Sequence, residues 1–248
     1  MKPFLILQLR PETEASDDEF AAILRKGGIA PENARRVRLD QGGLPNDLNL
    51  ADYSGVIVGG GPGCVSDPPE KKKSIEARIE DTVLSLMPEI IARDFPFLGC
   101  CYGIGILGHH LGGAGTVSKE RFGEEVGTSD CSLTEAGKSD PICDGIADDF
   151  LAFVGHKEAV QKLPPGCVHL VSSPTCPFQM IRYGQNVYAT QFHPEADSAG
   201  FEVRVGIYKN FGYFPPEEAD NIIALCRAAD VHAPERVLRN FVKLFGQD

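Results

Sequence analysis

The chain has 248 residues, 42% of them hydrophobic and 24% charged, with a formal net charge of −11. That length can bury a sizeable core, and the 1–248 span is expected to be a single domain. The acidic balance excludes nucleic-acid binding through a broadly basic surface.

Residues 4–9 are an apolar run too short to span a bilayer. Acidic residues follow at once, with no small-residue cleavage site, so the run reads as the first core strand of a cytoplasmic protein with no membrane partner. Further strand-like runs lie at 36–39, 55–59 and 96–100, with helical patterns at 17–26, 70–93 and 102–111 between and after them. Alternation of this kind predicts an α/β fold, a mostly parallel sheet with helices on both faces. Reactive groups then gather at the carboxyl ends of the strands. From residue 116 the pattern changes to short strands at 116–118, 125–133, 151–154, 168–172, 178–182 and 187–191. Tyr183-Gly184-Gln185-Asn186 reads as a hairpin turn, making the last two strands antiparallel neighbours. Pro215-Pro216-Glu217-Glu218 reads as a helix start, and 234–245 carries apolar residues at helical spacing. The motifs leave 201–214 without an assignment.

The eight cysteines include no C-x-x-C pair, which excludes a zinc ribbon or thioredoxin-like motif. No metal and no cofactor is expected. His109-His110 point about 100° apart on a helix and do not suit one ion.

Cys101 stands out. Pro96-Phe97-Leu98-Gly99-Cys100-Cys101-Tyr102-Gly103 reads as a strand, a Gly-x-Cys-x-Gly turn and a helix start. Small flanking residues let the backbone bend sharply enough to present the Cys101 side chain. The helix N-terminus would favour its thiolate. Alternation along the strand lets Cys100 face the core while Cys101 faces a site. A thiol nucleophile needs a base, a group that orients the base, and donors for an oxyanion. His193 and Glu195 in Gln191-Phe192-His193-Pro194-Glu195 suit the first two roles if the strand ending near Gln191 lies beside the elbow strand. The turn Gly59-Gly60-Gly61-Pro62-Gly63 follows another strand and offers unobstructed backbone N–H groups. Gly61 and the amide of Tyr102 are the candidate oxyanion donors, with Gly60 and Gly63 beside them. Together these parts specify acyl transfer through a thioester. Gly103-Ile104-Gly105-Ile106-Leu107-Gly108 also matches G-x-G-x-x-G, but its first glycine already belongs to the elbow and no acidic ribose ligand follows at a clear strand end.

The elbow, the glycine turn and His193-Pro194-Glu195, in that order, resemble the class I, triad-type glutamine amidotransferases. The likeness extends to free-standing proteins similar to the amidotransferase domain of GMP synthase. Gly123-Glu124-Glu125-Val126-Gly127, His156 and Ser173-Pro174-Thr175-Cys176-Pro177-Phe178-Gln179 add to the resemblance, which covers about residues 50–196. It implies a flavodoxin-like doubly wound fold in which Cys101 attacks the γ-carboxamide of glutamine. His193 then serves the departing ammonia and the incoming water. With the chain taken up by this fold, ammonia would pass to a separate synthetase partner or be released.

Two positions depart from the family pattern. Ile104 stands where the resemblance calls for a glutamine that fixes the substrate, and His156-Lys157-Glu158 replaces His-Gly-Asp. A lost hydrogen bond to a charged group costs roughly 1.5–3 kcal/mol. On that reading Ile104 points to a γ-glutamyl peptidase or hydrolase acting on a larger substrate as the alternative. A catalytically inactive binding module is the rival from another class. His156 is a candidate pocket residue or a structural one.

Overall fold

The computed structural model describes residues 1–246. The chain opens with β1 (Phe4–Gln8), α1 (Thr13–Gly27), β2 (Ala34–Arg38), β3 (Gly55–Val58), α2 (Ser74–Arg93), β4 (Phe97–Cys100) and α3 (Tyr102–Gly112). It continues through β5 (Val117–Ser118), β6 (Glu124–Leu133), α4 (Glu135–Ser139), β7 (Asp149–His156), β8 (Ala159–Val160), β9 (Cys167–Ser172), β10 (Met180–Tyr183) and β11 (Val187–Thr190). Three helices follow: α5 (Ser198–Tyr208), α6 (Ala219–Ala228) and α7 (Glu235–Phe245).

Nine strands form one sheet in the order β2-β1-β3-β4-β11-β10-β9-β6-β7. From β2 to β11 the neighbours are parallel, and beyond β11 they are antiparallel. The hairpin expected at Tyr183-Gly184-Gln185-Asn186 is the β10–β11 connection. The parallel strands are apolar on both faces because each face is covered. Leu5 and Leu7 of β1, Val56 and Val58 of β3 and Phe97 of β4 pack with α2 and α3. The alternate residues Phe4, Ile6, Ile57 and Leu98 pack with Ile23 of α1 and Val237, Leu238 and Phe241 of α7. Each fully buried side chain of this size contributes about 1.5–3 kcal/mol. Cys100 sits in this second layer, 1% exposed.

Two short strands, β5 and β8, pair outside the main sheet. Gly108 of α3 lies against them, since a Cβ there would come within 2.9 Å of Val117. This glycine therefore serves close helix packing. A third cluster joins Phe201, Val205, Phe214, Ile222 and Cys226 to Phe153 of β7, so α5 and α6 cover the antiparallel half. No helix of the described residues is long and apolar enough to cross a membrane.

Candidate active site

β4 ends at Cys100 and α3 begins at Tyr102, leaving Cys101 alone to make the turn. Its backbone sits at φ 54° and ψ −92°, a region that costs a non-glycine residue about 1–3 kcal/mol. Two features hold it there. Its N–H donates to the Thr190 carbonyl at 2.7 Å. Gly99 lets the turn close, because a Cβ at that position would come within 2.9 Å of the Gly103 backbone.

β11 is the parallel neighbour of β4, with Thr190 beside Cys100. The chain therefore leaves β11 next to the elbow and delivers Gln191, Phe192 and His193 to the same sheet edge. Phe192 is wholly buried, and the His193 N–H donates to the Phe153 carbonyl at 3.0 Å, which fixes the segment. His193 Nδ1 lies 2.9 Å from Glu195 Oε1, across Pro194. With the Nδ1 hydrogen donated to the carboxylate, Nε2 is the ring's free acceptor. Cys101 and His193 line one cavity.

Arg204 of α5 completes the buried charge cluster, its Nη2 2.9 Å from Glu195 Oε1. Its Nη1 lies 3.2 Å from His193 Nδ1, whose hydrogen already serves Glu195, so that contact acts through charge. Burial would raise the Glu195 pKa, but His193 and Arg204 outweigh it and hold the carboxyl well below its usual range. Burial lowers the His193 pKa, with Arg204 and Arg10 adding to that effect against Glu195. Burial also pushes the Cys101 thiol up to about 12, more than Arg10 lowers it. Burial thus opposes the thiolate that the helix N-terminus would favour.

The glycine turn follows β3. The Gly60 N–H donates to Glu19 Oε1 at 3.1 Å, so this amide is engaged within the fold. A Cβ on Gly60 would come within 2.6 Å of Arg10 Nη2 and 2.8 Å of His193 Cε1, so only glycine admits both groups. Among the described residues, the Gly61 and Tyr102 amides have no protein acceptor. Gly61 lines the cavity with Cys101 on two sides. The Tyr102 hydroxyl donates to Glu80 at 2.6 Å, and its ring lies below Gly63.

Residues 32–205 match the family described as glutamine amidotransferase class-I. The chain belongs to this family. It is 32% identical over 166 residues to the GMP synthase [glutamine-hydrolyzing] of Streptococcus pyogenes. That alignment covers 66% of this chain and 27% of the relative, so the chain spans about a quarter of the curated relatives it matches. In fold it is similar to a glutamine amidotransferase from Thermotoga maritima, with a TM-score of 0.77, 19% identity and full coverage of both chains. A glutamine amido transferase from Methylobacillus flagellatus gives a TM-score of 0.71 at 21% identity, covering 100% of this chain and 97% of that one.

The cleft of this class I amidotransferase has two chambers that meet at Cys101 and Gly61. The first holds about 340 Å³ of empty space, counting its open mouth, and is bounded by Gly63, Tyr102, Gly105, His156, Lys157 and Glu158. Ile104, expected to face the substrate, is wholly buried among the sheet side chains and lines neither chamber. Successive helical residues point about 100° apart, so the elbow that turns Ile104 into the core turns Gly105 toward the cleft. A Cβ on Gly105 would meet Glu158 Oε1 at 3.0 Å. Glu158 is 6% exposed and accepts from the Val65 N–H, the Ser66 N–H and the Ser66 hydroxyl at 2.7–2.9 Å. Burial nevertheless raises its pKa.

His156 reaches the rim of this chamber with both nitrogens engaged, Nδ1 at 2.8 Å from the Glu158 carbonyl and Nε2 at 2.8 Å from Glu124. Its role here is to brace β7 against β6. Glu124, His156 and Cys176 bring an oxygen, a nitrogen and a sulfur within 4.8 Å of one another. The carboxylate of that set is occupied by hydrogen bonds from Ser129, Thr175 and Gln179.

The second chamber holds about 450 Å³ of empty space, counting its open mouth, on the His193 side of Cys101. Arg10, Arg204, Tyr208 and Tyr213 line it with apolar neighbours. Sequence reasoning missed all four. The unassigned stretch 201–214 forms much of its wall, and Tyr213 lines both chambers while its hydroxyl donates to the Pro62 carbonyl at 3.2 Å.

Proposed function

We propose that this class I amidotransferase hydrolyses a γ-glutamyl amide, glutamine being the simplest, through a thioester on Cys101. The observation that carries the reading is the β4–β11 register, which sets His193 and Cys101 in one cavity. In this scheme Nε2 of His193 takes the thiol proton as sulfur attacks the γ-carbonyl carbon. The oxyanion accepts from the Gly61 and Tyr102 amides. The imidazolium then gives its proton to the departing nitrogen, the C–N bond breaks, and an amine and a thioester remain. Water, deprotonated by the same imidazole, adds to the thioester and releases glutamate. Glu195 holds the imidazole in the required tautomer and stabilises its cation.

Glu158 and Lys157 line the first chamber, with Glu158 bonded to Val65 and Ser66 and the Lys157 ammonium to the Phe211 carbonyl. With the second chamber on the His193 side, the first is the one left for the glutamyl half of the substrate. The substrate reading tied to Ile104 loses its basis with that residue in the core. Where glutamine is the substrate, the partner that fits is an ammonia-accepting synthetase, by likeness to GMP synthase. Eight unpaired cysteines suit a reducing compartment, the cytoplasm.

The test is glutamate release from glutamine and γ-glutamyl ethylamide by the wild type and by Cys101→Ala. The expected loss in the variant is roughly 10³-fold or more. Equal turnover by the two proteins would reject the nucleophile.

A further inference from the structure

The second chamber places Arg10 and apolar side chains beside His193, features that the release of ammonia does not call for. It lies on the side from which the leaving nitrogen departs, since His193 lines it and is absent from the walls of the first. Resting on the proposed γ-glutamyl chemistry, we infer that this chamber is a leaving-group subsite for an α-amino acid. The substrate is then a γ-glutamyl dipeptide with a free carboxylate and an apolar second residue.

Arg10 carries the argument. It follows β1, is 5% exposed, and donates through Nε to Glu19 Oε1 at 2.9 Å. Glu19 is wholly buried and also accepts from Gly60, so arginine, glutamate and glycine turn form one rigid mount. A guanidinium has five N–H donors, and Nε is the one Arg10 gives to Glu19. The guanidinium carbon lies 5.5 Å from the centre of the Tyr208 ring, and Tyr208, whose own hydroxyl donates to Glu12, also hydrogen-bonds the group, leaving further terminal N–H groups for a ligand. Its Nη2 and the His193 ring flank the same point beside Gly60, within 2.6 and 2.8 Å of it. An α-amino acid carries its carboxylate two bonds from its nitrogen. A leaving nitrogen served by His193 thus brings that carboxylate to Arg10, where a bidentate pair is the expected geometry.

The remaining walls specify the side chain. Val126, Phe201, Val205, Tyr213 and Phe214 surround the chamber with apolar surface. The reaction balances as hydrolysis: the γ-C–N bond breaks, one water is consumed, and glutamate and a free amino acid leave.

The experiment compares kcat/KM for γ-glutamyl-leucine, γ-glutamyl-leucinamide and glutamine in the wild type and in Arg10→Gln. The wild type is expected to favour the free carboxylate over the amide by roughly ten- to a hundredfold, the ratio given by one hydrogen bond to a charged group. In Arg10→Gln that preference should fall to about unity. Wild-type rates on the two leucine substrates that agree within twofold would overturn the subsite and leave the Cys101 chemistry standing. Turnover of none of the three would reject that chemistry itself, and the subsite with it. Because the wild-type comparison decides alone, the proposal stays open to refutation even if Arg10→Gln fails to fold.

Discussion

A buried thiol with its pKa pushed up to about 12 is a poor nucleophile until its proton is removed, so the burden falls on the imidazole. Burial lowers the His193 pKa from 6.5, and Arg204 reinforces the shift. The base is therefore neutral and available throughout the physiological range. The sign follows directly. kcat/KM should be level above pH 6.5 and fall as pH drops through the lowered pKa of His193. Arg204→Met removes a cation that disfavours the imidazolium, so the acid limb should move to higher pH. A pH–rate profile checks both, and a wild-type limb centred at or above pH 7 would contradict the assignment. Glu195→Gln leaves the ring without its anionic partner, and activity should fall by roughly two to four orders of magnitude.

At the scale of elements, the site depends on two strands ending side by side and on a turn with no room to spare. The β4–α3 turn stores strain at Cys101 and closes only because Gly99 lacks a Cβ. Backbone stands against backbone there, so neither side can yield as a flexible side chain would. Gly99→Ala is expected to destabilise the fold by about 1–3 kcal/mol, the range for overpacking, and to lower activity by displacing Cys101. Chemical denaturation reads the first effect, and a variant as stable and active as the wild type would show that the elbow tolerates the extra carbon. α5 was harder to read in the sequence than the elbow. Ser198–Tyr208 contains Gly200 and Gly206 with Val203, Val205 and Ile207, all weak helix formers. Tertiary packing on Phe153 and the Asp197 side chain, which caps the Gly200 N–H at 3.0 Å, make it a helix.

Across the whole molecule, what could be read from sequence was what is contiguous. The elbow, the glycine turn and His193-Pro194-Glu195 each declare their geometry within a few residues. The alternation of strands and helices likewise announces the parallel half of the sheet. Arg10 and Arg204 declare nothing locally, because they meet at the cleft only when the end of β1 and α5 pack together, with Glu19 of α1 holding Arg10. Ile104 shows the reverse case: a shift of one residue along a helix separates a core position from the cleft at Gly105. The same whole-molecule view bears on the eight cysteines. All are unpaired, and seven are buried, but Cys101 is the one that shares a cavity with His193.

Labelling the intact protein with a diazoketone analogue of glutamine, followed by mass spectrometry, therefore tests the central claim most directly. One adduct per chain on Cys101 is expected, with none in Cys101→Ala and slower labelling in His193→Ala. Adducts spread over other cysteines, or unchanged labelling of Cys101→Ala, would contradict a thioester-forming nucleophile at the elbow.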